Sequence, residues 1–244
     1  MHGGSLVESA ELLANDGYVI VFAVYAAEEC RKFATQIQAA LEACEDEASS
    51  LRRANGTIYG ARNLLDLFPL ACELWRRPPI VELLSSVLGP TFGLVRGLFF
   101  DKPPASSWSL PWHRDLTIAV REHVPLTTQF RNPTVKAGLP HVEAPDDLLR
   151  QMLTLRIHLD DATAENGPLE VVPGSHLSRD TNSSREPATI LARAGDVLAM
   201  RPLLLHSSGE SQAGTALHRR VVHLEFAASS VLPDDLRWRQ FFAI

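Results

Sequence analysis

Lysine is scarce in this chain of 244 residues, with three (Lys32, Lys102, Lys136) against twenty arginines. No basic stripe compensates, and the formal charge of −6 argues against a nucleic-acid binder held by phosphate contacts. Cysteine is equally thin. Cys30, Cys44 and Cys72 are spaced for neither a zinc knuckle nor a disulfide framework, and an odd set of thiols points to a reducing, cytoplasmic setting. Long apolar runs are missing too. Tyr18–Ala27 falls short of the roughly 20 residues that span a bilayer, so no membrane partner is expected. The first basic residue is Arg31, which leaves no positive segment for an export signal. Neither an internal repeat nor a low-complexity linker divides the chain. What remains, 45% hydrophobic and 21% charged residues, is the balance of a globular protein.

Hydrophobic periodicity changes character near Pro90. Before it, Asp16-Gly17 reads as a turn that launches a buried strand over Tyr18–Tyr25. Over Glu28–Ala43, Phe33, Ile37 and Leu41 recur every four residues, the stripe of an amphipathic helix. A second helical zone runs from Leu64 to Leu88, interrupted at Pro78-Pro79 and closed by Gly89-Pro90. Beyond it, short apolar runs alternate with turn residues: Gly93–Phe100, Pro111–Val120, Met152–Asp160, Leu169–Val172, Asp196–Met200 and Arg220–Phe226. Such spacing predicts a barrel or sandwich. Val124–Leu148 reads as a long loop with a helical turn near Asp146–Met152. The expectation is one domain over residues 1–244, with a mostly helical support over 1–90 buttressing a β core over 91–230. Ser106–Trp108, Arg121–Pro140 and Arg179–Glu186 are long enough to serve as lids.

Chemistry enters with His113-Arg114-Asp115. Side chains at i and i+2 of an extended strand point the same way, so one short segment offers an imidazole and a carboxylate to a single metal. Two histidines and one carboxylate on one face leave the opposite face open, the pattern of non-haem Fe(II) oxygenases. His206, at the end of Pro202–Leu205 and followed by Ser207, Ser208 and Gly209, is the best third donor. Arg219 opens the following strand. A hairpin would return it alongside His206, where a guanidinium can grip a dicarboxylate by two parallel hydrogen bonds. His158-Leu159-Asp160 offers the same spacing, and geometry alone leaves both pairs open, along with a plain His–Asp hydrogen bond at a strand end. Trp108 and Trp112 read as core packing or as walls of an apolar pocket. Lys102 reads as a solvated strand end.

The motifs taken together resemble one family. Phe100-Asp101-Lys102-Pro103, Trp112-His113-Arg114-Asp115, Pro140-His141-Val142, Arg156-Ile157-His158-Leu159-Asp160-Asp161, Asn166-Gly167-Pro168-Leu169, Pro173-Gly174-Ser175-His176 and His206-Ser207-Ser208-Gly209 with Arg219 follow its order and approximate spacing. In these pieces the chain resembles the phytanoyl-CoA dioxygenase family of Fe(II)/2-oxoglutarate oxygenases. The resemblance implies a mainly β fold: a double-stranded β-helix (jelly-roll, cupin-like) core with N-terminal α-helices packed on one side. It implies Fe(II), 2-oxoglutarate and O2, and His113, Asp115 and His206 as iron ligands. By the same carry-over Arg219 binds the remote carboxylate of 2-oxoglutarate and Ser208 assists. Arg220 is the rival anchor, and Arg219 is preferred for its seven-residue distance to Phe226. Arg114 stands where members often carry Gln, and strand alternation turns it away from the metal.

The implied reaction hydroxylates an unactivated C–H bond of a small-molecule substrate and releases succinate and CO2. Halogenating relatives vacate the carboxylate position, so Asp115 favours hydroxylation, desaturation or ring formation over halogenation. Two alternatives stand beside it: a cupin-type metal enzyme without 2-oxoglutarate, and a catalytically silent binding member. The sequence shows no Lys/Arg cluster near the metal motif to receive the phosphates of an acyl-CoA, which argues for a smaller substrate.

Overall fold

The computed structural model describes residues 6–44, 50–52, 56–104, 108–122, 129–179 and 185–244. The helical support comprises α1 (Leu6–Asn15), α2 (Ala27–Glu42), α3 (Leu64–Leu67) and α4 (Pro78–Leu88), with the short strands β1 (Tyr18–Val21), β2 (Ser50–Arg52) and β3 (Ile58–Ala61) between them. The rest is β4 (Gly93–Lys102), β5 (Leu110–His113), β6 (Thr117–Ala119), β7 (Arg131–Lys136), β8 (Leu139–Glu143), the one-turn α5 (Asp146–Leu149), β9 (Met152–His158), β10 (Leu169–Val171), β11 (Ala188–Ile190), β12 (Val197–Met200), β13 (His206–Ser208), β14 (Arg219–Ala227) and β15 (Phe242–Ala243).

A major antiparallel sheet runs β1-β12-β9-β14-β4-β3-β2, with β15 added on β4. A minor sheet runs β11-β10-β13-β5, and β6-β8-β7 forms a third. Major and minor sheets enclose the barrel of a double-stranded β-helix. Alternation sorts the major sheet's residues. Leu153, Leu155 and Ile157 of β9 and Val222, Leu224 and Phe226 of β14 pack outward against Ile37, Leu41, Ile80 and Leu84 of the helices. Trp75, Phe92 and Phe226 meet edge to face with centroids 5.5–6.0 Å apart, each pair adding about 0.5–1.5 kcal/mol beyond its buried area. The opposite face turns Arg96, Arg156, His158, Arg219 and His223 inward, all of them buried. Among the described residues no helix is long and apolar enough to cross a membrane.

Several expectations need correction. The strand predicted over Tyr18–Tyr25 ends at Val21, where Ala23 takes a positive φ of 52° and donates its N–H to Asp196. Pro78-Pro79 starts α4 instead of interrupting it, because proline at the first helical positions forfeits no hydrogen bond. Val124–Leu148 is largely a hairpin. β7 and β8 are joined by Ala137 and Gly138, both at positive φ, the requirement of a tight hairpin turn. Pro133 hid this run, yet it sits in an irregularity of the edge strand β7, where proline is tolerated. Pro111–Val120 breaks into β5 and β6 around Arg114–Leu116. Of the lid segments, 105–107, 123–128 and 180–184 lie outside the described residues.

Candidate active site

β5 and β13 lie side by side, with His113 directly opposite His206 in the register. Facing Cβ atoms in such a pair are about 5 Å apart, and the two rings lie with centroids 4.2 Å apart. Each ring bonds through Nδ1 to the carbonyl two residues back: His113 to Pro111 and His206 to Leu204, both at 2.8 Å. That contact fixes the ring and leaves Nε2 directed at a common point, a second-sphere arrangement typical of metal-bound histidines. Asp115 completes the group just past the end of β5, held by its N–H to the Pro202 carbonyl at 3.0 Å. Its carboxylate lies 3.8 Å from His113 Nε2 and 3.7 Å from His206 Nε2.

The donor atoms of His113, Asp115 and His206 fall within 4.8 Å of one another, and theirs is the one such group among the described residues. Asp115 Oδ2 is buried without a hydrogen-bond partner, although about a third of the side chain reaches solvent (32%). An orphaned anionic oxygen between two free imidazole nitrogens is what a divalent cation satisfies. Burial works against the Asp115 carboxylate, but His206, His223, His113 and Arg96 outweigh it and hold its pKa below the usual value. Burial lowers His206, against the pull of Asp115, and favours the neutral form that binds metal.

Arg114 points away, as alternation requires, and its guanidinium donates to the carbonyls of Leu203, Ser175 and Ser178 at 2.9–3.1 Å. These bonds tie the segment carrying Asp115 to the approach to β13 and to the Pro173–His176 turn. His158 and Asp160 do not form a rival site. His158 is buried inside the barrel with neither ring nitrogen bonded, while Asp160 takes two parallel hydrogen bonds from Arg220, both at 2.7 Å.

That pairing also separates Arg219 from Arg220. Arg219 is 3% exposed, faces the barrel interior, and leaves Nε and Nη1 without partners. Burial, reinforced by Arg156, lowers its pKa to about 9. It does not reach His206 through a hairpin, since β14 pairs with β4 and β9 while β13 belongs to the minor sheet. Lys102, opposite Arg219 on β4, links the sheets. It is fully buried, not solvated: Nζ donates to Ser208 Oγ at 3.0 Å and to the carbonyls of Gly209 and Gly167, beneath the Trp108 ring at 4.7 Å. Three oxygen acceptors and a π face replace the water it gives up. Burial, with Arg219 and Arg156 nearby, lowers its pKa to about 7.

A cavity of about 470 Å³ joins these groups, walled by Leu98, Phe100, Trp108, Leu110 and Leu116. Trp108 therefore belongs to the pocket wall, while Trp112 is 43% exposed; neither is core. Arg62, Arg96, Lys136 and Arg156 line the same cavity. The sequence has no local basic cluster, but the fold assembles one from four distant segments. Arg156 was legible as the arginine between Leu155 and Ile157 in an otherwise apolar strand. The other three carried no signal.

A double-stranded β-helix with two imidazoles, one carboxylate and a buried arginine around one cavity defines the Fe(II)/2-oxoglutarate oxygenase class. Residues 13–220 match the phytanoyl-CoA dioxygenase (PhyH) family, and the chain belongs to it. Its cofactors are accordingly Fe(II), 2-oxoglutarate and O2. L-proline trans-4-hydroxylase of Streptomyces griseoviridis is 28% identical over 142 residues, 58% of this chain and 42% of that relative, so the match spans less than half of the hydroxylase. AviO1 of Streptomyces viridochromogenes Tue57 shares the fold with a TM-score of 0.67 at 22% identity, over 96% of this chain and 99% of its own. EctD of S. alaskensis, solved with 2-oxoglutarate and 5-hydroxyectoine, gives 0.67 at 18% identity, over 90% and 75%.

Proposed function

We propose that this protein hydroxylates an unactivated C–H bond of a small molecule, with His113, Asp115 and His206 holding iron and Arg219 seating 2-oxoglutarate. The observation that carries this reading is a pair of complementary orphans in one cavity: the unpartnered Asp115 oxygen amid two imidazoles, and the unpartnered Arg219 guanidinium. Bound iron supplies the activation of O2, coupled to decarboxylation of the oxo acid to succinate and CO2.

The chain's own residues do the rest. His113 and His206 present Nε2 because Nδ1 is engaged by backbone. Asp115 supplies the anionic donor, and its presence favours hydroxylation over halogenation. Arg219 offers two N–H groups in the fork geometry that matches a carboxylate. Ser208 assists: its oxygen accepts from Lys102, so its own proton is free to donate to the same carboxylate. Leu98, Phe100 and Trp108 exclude water from the reacting centre. The helical support and the barrel act as one domain, since the apolar faces of α2 and α4 are buried against the major sheet.

A metal enzyme without 2-oxoglutarate leaves the buried Arg219 without a purpose, and a silent member has no reason to keep all three donors. The test is anaerobic visible absorption on adding Fe(II) and then 2-oxoglutarate. A charge-transfer band in the wild type and in His158→Ala, lost in His113→Ala and weakened in Arg219→Ala, is expected. No band in any sample sinks the proposal.

A further inference from the structure

The cavity has a second cationic end that this chemistry leaves unused. Arg219 opens β14 and Glu225 lies six residues further along it, a separation of about 20 Å at roughly 3.3 Å per residue. Arg96 stands opposite Glu225 in the register, with Nη1 at 3.3 Å from its carboxylate and 3.4 Å from the Thr117 carbonyl. Lys136 donates from Nζ to Thr117 Oγ1 at 3.0 Å. Arg62, just after β3, lines the same wall, and its loop is tied to the end of β7 by Asn63 donating to the Ala137 carbonyl at 3.0 Å. Arg62 is partly buried and makes no hydrogen bond or ion pair among the described residues. Burial and its mutual repulsion with Arg96 lower its pKa, and burial, Arg96 and Arg62 lower that of Lys136. Of the acids lining the cavity, Glu225 pairs with Arg96, Glu143 forms no ion pair with any of the three cations, and Asp115, which attracts all three at longer range, belongs to the proposed metal group.

We propose that Arg62, with Lys136 beside it and Arg96 behind, seats a carboxylate of the substrate at the end of the cavity opposite Arg219. The inference rests on the oxygenase reading and adds a substrate class to it: a small carboxylic acid. In the oxygenase reading 2-oxoglutarate has no carboxylate left for this group, since Arg219 would take the remote one and iron the other. A monoanionic carboxylate is favoured over a dianionic phosphate, since Glu143 and Glu225 repel the second charge. The volume points the same way. About 470 Å³ must hold the co-substrate as well, which leaves room for a metabolite of amino-acid size.

The test uses protein loaded with Zn(II), which cannot turn over, and saturated with 2-oxoglutarate. Small carboxylic acids, each paired with its neutral carboxamide and a matching phosphate monoester, are titrated by calorimetry and saturation-transfer NMR. At least one acid is expected to bind about tenfold or more tighter than its carboxamide, and Arg62→Met to erase that preference, with Lys136→Met reducing it. The affinity for 2-oxoglutarate in both variants should stay within about twofold of wild type, which reports an intact fold. Failure of every acid to bind, equal binding of acid and carboxamide, or a preference that survives both substitutions overturns the proposal, and tighter binding of the phosphates overturns the carboxylate. If 2-oxoglutarate itself does not bind the wild type, the oxygenase reading fails separately, and the acid–carboxamide comparison is read without it.

Discussion

Replacing Arg219 by methionine should move two measurable quantities in opposite directions. The guanidinium is buried (3% exposed) with Nε and Nη1 unpartnered, so in the cofactor-free protein it is a charge held out of water without compensation. Methionine keeps most of the volume and removes the charge. Swapping a buried ion for an apolar residue of similar size is neutral or stabilising by about 1–4 kcal/mol, and each kcal/mol moves Tm by about 2–4 °C in a chain of this length. The cofactor-free variant should therefore melt several degrees above wild type. Binding of 2-oxoglutarate should collapse. Losing one partner of a buried charge pair costs about 3–5 kcal/mol, and at roughly 1.4 kcal/mol per tenfold the dissociation constant rises on the order of 100- to 4,000-fold. The assay is titration of 2-oxoglutarate into the anaerobic Fe(II) protein, followed at the charge-transfer band, beside differential scanning calorimetry without ligand. Arg220→Met is the control. It breaks the Asp160 pair on the outer side and should lower Tm while leaving the affinity within about threefold. An Arg219→Met protein that binds 2-oxoglutarate within threefold of wild type, or an Arg220→Met protein that loses it, refutes the assignment.

Iron stoichiometry measured after desalting should be near one in wild type and in His158→Ala, and near zero in His113→Ala, because only the latter removes a donor from the converging group; iron retained by His113→Ala contradicts the triad. Arg114→Ala should weaken Co(II) binding by about 10- to 100-fold, the range for residues that orient metal ligands, since its three carbonyl contacts position the Asp115 segment; an unchanged affinity removes that role. Acid should destabilise the protein in a defined window. Burial lowers His141 to about 4 and His158 to about 3, below the unfolded value of about 6.5. The unfolded chain then binds more protons, so stability is full above about pH 6.5 and falls on acidification, by up to roughly 2.7 kcal/mol per pH unit near pH 5 for the pair. Urea unfolding at pH 5 and 7 checks the slope, to which His223, also lowered to about 3 by burial, adds its share; His158→Gln should make it shallower by roughly 1.4 kcal/mol per pH unit, one histidine's contribution. Gly167→Ala should lower Tm, because the residue has a φ of +64° and an added Cβ would lie 2.3 Å from the Gly209 carbonyl oxygen; a variant as stable as wild type rules out that close approach.

The sequence by itself determined whatever depends on neighbours along the chain. His113 and Asp115 share a direction because backbone alternation is local, and the same rule turned Arg114 away. The α2 stripe and the apolar runs of β4, β9 and β14 were legible for the same reason, and the family motifs supplied the order of the barrel. Where local signals conflicted, reading failed: prolines masked the β7–β8 hairpin, and a lysine at a strand end looked solvated although it is fully buried. Spacing left His113-Asp115 and His158-Asp160 open and the family motifs chose the first pair; only the tertiary structure supplied the physical reason, a register that sets His206 opposite His113. The same motifs preferred Arg219 to Arg220, and the tertiary structure added the contrast between them, turning one into the barrel interior and pairing the other with Asp160. The cationic cavity was wholly its work. Arg62, Arg96, Lys136 and Arg156 lie on separate segments and meet through strand pairing, which depends on contacts across the sheets that no spacing along the chain records.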